Sequence, residues 1–109
     1  MFPIIPANSV TAASGNDEGI FGYGTTGDVT GVTNLVSNTG VVSSDVAGVV
    51  GATARDYTAA CEYGQDKGIF GFGTGYTGIT NLVSNAGVVA TDVTGVGSAR
   101  RNLAACSFN

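Results

Sequence analysis

Histidine and tryptophan are absent from this sequence, and its only cations are Arg55, Lys67, Arg100 and Arg101. Without histidine there is no Ser-His-Asp or Cys-His catalysis, no imidazole metal ligand and no ordinary general base near neutral pH. A net charge of −4 with no basic stripe argues against a nucleic-acid partner, because gripping phosphates requires clustered cations. No apolar run approaches the roughly 18–20 residues that span a bilayer, so no membrane partner is expected. The opening Met1-Phe2-Pro3-Ile4-Ile5-Pro6 carries no basic residue and is broken by proline. It does not read as a signal peptide, and the free thiols expected at Cys61 and Cys106 point to synthesis in the cytosol. Charged residues make up only 11% of the chain, too few for a disordered segment that relies on charge to stay solvated. Leu, Lys and Glu are scarce while glycine and β-branched residues abound, so a helical protein is excluded as well.

Two cysteines, Cys61 and Cys106, stand at matching places in a repeat. Equivalent residues of neighbouring repeat units lie too far apart for a disulfide, so both are expected as buried free thiols in a small-residue strand. Two separated cysteines make no zinc site, and the Gly-x-Gly pieces lack the helix and Lys-Ser/Thr of a phosphate loop. No cofactor and no metal are expected.

The 18 glycines and 43% hydrophobic residues fall into an internal duplication. Thr-Asn-Leu-Val-Ser-Asn occurs at 33–38 and, unchanged, at 80–85, a period of 47 residues. Gly-Ile-Phe-Gly-Tyr-Gly at 19–24 returns as Gly-Ile-Phe-Gly-Phe-Gly at 68–73, and the segment 40–49 returns at 87–96. Ala54-Arg55 and Ala59-Ala60-Cys61 return as Ala99-Arg100 and Ala104-Ala105-Cys106, with a weaker copy at Val10 to Ser14.

Each copy holds four strand-like runs separated by turn signals, which in the second copy are Tyr57 to Tyr63, Gly68 to Gly73, Ile79 to Ser84 and Val88 to about Val96. Four short antiparallel strands in such a period is the size of one β-propeller blade. The expected fold is therefore all-β: an N-terminal extension at 1–7, a first blade at 8–50, a second at 51–97 and an extra inner strand at 98–109. Strand alternation predicts that Phe70 and Phe72 share one face and Ile69, Gly71 and Gly73 the other, so that rings of one blade nest over glycines of the next.

The order of these elements resembles a kelch-type repeat: Ala-Arg, a small apolar strand, an Ile-Phe-Gly-x-Gly strand and a strand ending in an Asn-x-Gly turn. Arg55 and Arg100 match the arginine that precedes the family's inner strand. The glycine pair is alternating here where the family's is adjacent, and the outer-strand tryptophan is missing, with Val41 and Val88 near its place. The chain is most similar to highly repetitive kelch-like propellers predicted from marine phage and environmental sequences, in which Asp-Lys-Gly-Ile-Phe-Gly and Thr-Asn-Leu-Val-Ser-Asn recur. The resemblance covers about residues 8–109 and implies a propeller and a virion or host-contact setting, but no chemistry.

Two blades form an open arc, whereas propellers close with roughly 4–8. If each blade face covers on the order of 500 Å² of apolar surface, burial at roughly 25 cal/mol/Å² stabilises by about 12 kcal/mol. Association of identical chains is therefore expected, with Leu103, Ala104, Ala105, Cys106 and Phe108 completing a blade of a neighbouring chain. A trimer is favoured and a tetramer comes next. Candidate ligand contacts are Tyr76, a lone ring in a Gly/Thr loop, the recurring acids Asp45 and Asp92, and Arg55 and Arg100. Asp17 and Asp66 also recur, in the first hairpin loop, where turn formation explains them. These features suggest a non-enzymatic structural or recognition module, with glycans at repeated shallow sites. Two alternatives are a piece of a longer or engineered propeller with no ligand of its own and, less favoured, a hydrolase using carboxylates.

Overall fold

The computed structural model describes residues 17–108. The N-terminal extension at 1–7 and the strand copy at Val10 to Ser14 lie outside the described residues. Among those described there is no helix, and the fold is all-β with two antiparallel sheets. The first sheet pairs β1 (Gly19–Gly22) with β2 (Thr33–Val36). The second is a meander of β3 (Ala59–Tyr63), β4 (Lys67–Gly73) and β5 (Thr77–Val83), in that order.

The duplication in sequence is a duplication in register. Phe21 faces Asn34 across β1 and β2, and Phe70 faces Asn81 across β4 and β5. The Asn-x-Gly hairpins close alike, with Gly40 donating to the Ser37 carbonyl and Gly87 to that of Ser84, each 2.9 Å long. Both glycines have φ near +80° (84° and 79°), a conformation that a Cβ would disfavour.

Two sequence expectations need correction. The fourth run of each copy is no continuous strand; its strand-type pairing with the third is limited to the isolated bridges Val36–Val42 and Thr33–Val46, and Val83–Val89 and Thr80–Val93. Glycines 48 and 95 in this run approach Gly31 and Gly78 backbone to backbone, so closely that an added Cβ would press on that backbone. Phe72 also does not share the face of Phe70. The β4–β5 register shifts between Gly71 and Gly73, and Phe72 has φ 64°, as its counterpart Tyr23 does. The left-handed φ of Phe72 breaks the alternation that a regular strand would keep, and the extra residue of the accompanying bulge lies in β5. Phe70 consequently turns toward the first repeat, and Phe72 toward Arg100 on the opposite side.

The core lies where the two repeats meet. Phe70, Val83 and Val89 of the second repeat are buried, and Ile20, Tyr23 and Val49 of the first pack against them. The expected nesting of ring over glycine holds at this junction: a Cβ on Gly22 would stand 2.8 Å from the Phe70 ring. Tyr23 meets the same ring edge-on, with centroids 5.0 Å apart.

Candidate functional site

Arg55 enters the junction from the segment that joins the repeats, and only 2% of its surface is exposed. A buried guanidinium must find acceptors for its fixed fork of N–H donors. Nε donates to the Phe72 carbonyl at 2.7 Å, and Nη1 donates to the Thr53 carbonyl at 2.8 Å. Nη2 donates to Asn81 Oδ1 at 2.6 Å. On its other side the guanidinium lies 4.8 Å from the Tyr23 ring centroid, a cation–π contact that spans the repeats.

Asn81 is fully buried and relays this charge outward, donating from Nδ2 to Asp92 Oδ1 at 2.9 Å. Asp92 also accepts from the backbone N–H and the hydroxyl of Thr53. Partial burial pushes the Asp92 carboxyl up, but the Thr53 and Asn81 hydrogen bonds and the Arg55 charge outweigh it and hold the group below its ordinary value. Burial pushes the Tyr23 phenol up, with the Arg55 charge offsetting part of that rise. Its hydroxyl is buried with no hydrogen-bond partner among the described residues.

The structure therefore joins Arg55 and Asp92, two of the sequence candidates, in one structural network. Asp45 lies apart from them, accepting from Asn34 Nδ2 at 2.8 Å on the exposed side of the first repeat. Arg100 is exposed, stacked 4.2 Å from the centroid of Phe72, and donates to the Ser98 carbonyl. Tyr76 belongs to a different surface. Arg101 lies 4.7 Å from the Tyr76 centroid and 5.4 Å from that of Tyr57, so two exposed rings flank one guanidinium. Both tyrosines have positive φ (52° and 53°), a costly conformation for an aromatic residue. Sequence reasoning missed Tyr57 and Arg101 as companions of Tyr76, since neither residue type nor spacing signals a contact made through left-handed turns.

An open cleft of ≈ 710 Å³ also lies between the repeats, with Asp17, Glu62 and Asp66 among its lining. Asp66 is held below its ordinary value by hydrogen bonds, chiefly from Asn85 Nδ2 and then from Lys67 Nζ, each 3.0 Å long. Asn38 reaches Asp17 in the same way at 3.5 Å, so each acid ties the first hairpin loop to the distant Asn-x-Gly hairpin of its own repeat. Among the described residues no cluster of three or more possible ligands could hold a metal ion.

Leu103 is half-buried, whereas Ala104, Ala105, Cys106 and Phe108 are exposed and lie in no strand of this chain. Both cysteines are free, but Cys61 is only half-buried and Cys106 is exposed, in contrast to the buried thiols expected. The difference follows from the segment after Asn102, which lacks the sheet that covers Cys61 in the second repeat. Comparison of the chain with protein-family models, with curated proteins and with solved structures yields no match.

Proposed function

We propose that this chain is a non-enzymatic module: two blades of a kelch-like β-propeller that close into a ring by head-to-tail association of identical chains. The observation that carries this reading is the unequal fate of one residue in two copies. Phe70 is 5% exposed because the first repeat covers it, whereas its counterpart Phe21 is 63% exposed. The same holds for Val89 at 7% and Val42 at 52%. A face that one repeat buries against its neighbour, and the other presents to water, is an association surface of the kind soluble monomers avoid. A head-to-tail contact of this type closes when its rotation divides a full turn, with three chains giving six blades and four giving eight.

The ring would present the Tyr57–Arg101–Tyr76 surface once per chain. Tyrosine faces stack on the apolar faces of sugars, and an adjacent guanidinium donates to hydroxyl or carboxylate oxygens. Glycans bound weakly at each copy would be held together by multivalency. The carboxylates are engaged in structure, Asp92 by Thr53 and Asn81 and Asp45 by Asn34, so a hydrolase gains no support from them.

Light scattering on a sizing column at two concentrations tests the ring. A mass of three or four chains that persists on dilution is expected, and a mass of one chain would overturn it. A glycan array probed with the assembled protein tests the second part. Binding that disappears in Tyr76→Ala is expected, and an array with no signal would leave a purely structural ring.

A further inference from the structure

Arg55 takes its contacts from two sides of the junction, and the two sides are separable. From the repeat before it come the Tyr23 ring and a hydrogen bond from Gly24 N–H to the Arg55 carbonyl at 3.0 Å. From the repeat after it come Asn81 and, within 4.0 Å, Asp92. Arg100, its counterpart, has the first set complete: the Phe72 ring at 4.2 Å and a hydrogen bond from Gly73 N–H to its carbonyl at 3.0 Å. It also repeats the local contact, Nη1 donating to Ser98 as Arg55 Nη1 donates to Thr53. None of the contacts described for it comes from a following repeat.

The first repeat carries the complementary half. Asn34 and Asp45 are the counterparts of Asn81 and Asp92, joined by the same Asn Nδ2 to Asp Oδ1 hydrogen bond (2.8 Å against 2.9 Å). Asn34 Nδ2 also reaches the Ser43 carbonyl as Asn81 Nδ2 reaches that of Ala90, both at 3.2 Å. The pair is thus preorganised as in the occupied copy, but no described arginine reaches it. Apolar residues match in the same sense. Val49 packs into the second repeat's core, while its counterpart Val96 is 86% exposed.

We infer that Arg100 of one chain clasps Asn34 and Asp45 of a second copy of this chain, repeating between chains the contact that Arg55 makes with Asn81 and Asp92 within one. The inference rests on the ring reading above and specifies its interface. A second copy is the occupant because the two open faces are the two halves of an interface this chain already builds, opposite in charge and alike in register. Burial of the guanidinium at this contact directs the rotation of one chain on the next, since the planar fork meets its acceptors in only one orientation.

The test is a double-mutant cycle on the full chain with Arg100→Ala, Asp45→Ala and both, reading the assembled mass against protein concentration by analytical ultracentrifugation. Where the wild-type ring does not open on dilution, the same cycle is read in increasing urea. On dilution each single substitution is expected to raise the protein concentration of half-dissociation at least tenfold, in urea to lower the dissociation midpoint, and the double substitution to shift either no further than the larger single. Hydrogen exchange of the β3–β5 amides, unchanged in all variants, separates loss of assembly from unfolding. Additive effects, or an assembled mass indifferent to Arg100, would overturn the clasp while leaving the ring intact. A wild-type mass of one chain would overturn both.

Discussion

The two copies of the repeat are nearly the same sequence in two different surroundings. In the second, Phe70, Val89 and Asp92 sit under the first repeat and the Arg55 network. In the first, Phe21, Val42 and Asp45 hold equivalent positions in a similar backbone and face water. The pairing register is thus the same whether or not the face is covered, although β4 and β5 run longer than β1 and β2, and the covered copy adds the burial of a ring and a guanidinium. Repeat architectures behave this way when each unit cannot bury its own apolar face.

The sharpest way to break the comparison is to empty the occupied clasp. Arg55→Ala leaves Asn81 Oδ1 and the Phe72 and Thr53 carbonyls without their donor, removes the cation paired with Asp92, and is expected to destabilise by roughly 3–5 kcal/mol, read from urea unfolding. Arg100→Ala, at the equivalent exposed position, should keep the protection of the β4–β5 amides. Equal losses in the two variants, measured where the chains are dissociated, would mean that Arg55 owes nothing to its burial.

The rings are the next pair. Phe70→Ala opens a cavity against Gly22 and Tyr23 and should cost about 3 kcal/mol in the same measurement. Phe21→Ala should leave the sheets intact and lower the assembled mass at micromolar concentration. If it leaves that mass unchanged, the exposed face is no copy of the internal junction.

A smaller effect concerns pH. Asp92 titrates below its ordinary value of 3.8 in the folded chain, so on acidification the unfolded chain takes up this proton first. The stabilisation is complete above that ordinary value and is lost as pH falls through the lower folded value. Asp92→Asn should cost about 1–2 kcal/mol at pH 7 and flatten the acid limb of a stability–pH curve. A limb as steep as wild type would shift the cause to other carboxylates, with Asp66 first among them.

The smallest effect is expected at Tyr23, whose hydroxyl is buried without a partner where the second repeat has Phe72. Tyr23→Phe should be neutral or stabilise by up to about 1 kcal/mol, measured by thermal unfolding. Destabilisation would reveal a hydrogen bond made in solution.

Much of the architecture was legible in the residues. The duplication, the all-β class and the Asn-x-Gly hairpins follow from motifs that physical rules constrain locally. Strand limits came close: β4 begins one residue before the expected Gly68, and β5 spans Thr77–Val83 where 79–84 was expected. The fourth run was misjudged because its valines read as a strand, while Gly48 and Gly95 make backbone contacts that no hydropathy pattern reports. The face of Phe72 was not legible because a left-handed residue within a strand leaves no mark on the alternation of the sequence. Arg55 and Asp92 stood out separately as recurring charged residues, but their union through Asn81 depends on three distant segments meeting.

By itself the sequence determined the repeat, the strands and the side chains offered at each equivalent position. Those properties follow from local backbone preference and from identity between copies. Only the tertiary structure decided which copy of each side chain is covered. Phe70 and Phe21, or Arg55 and Arg100, occupy equivalent repeat positions but differ in what lies across from them. Burial and pairing are properties of that opposite surface, and a repeat motif carries no record of it.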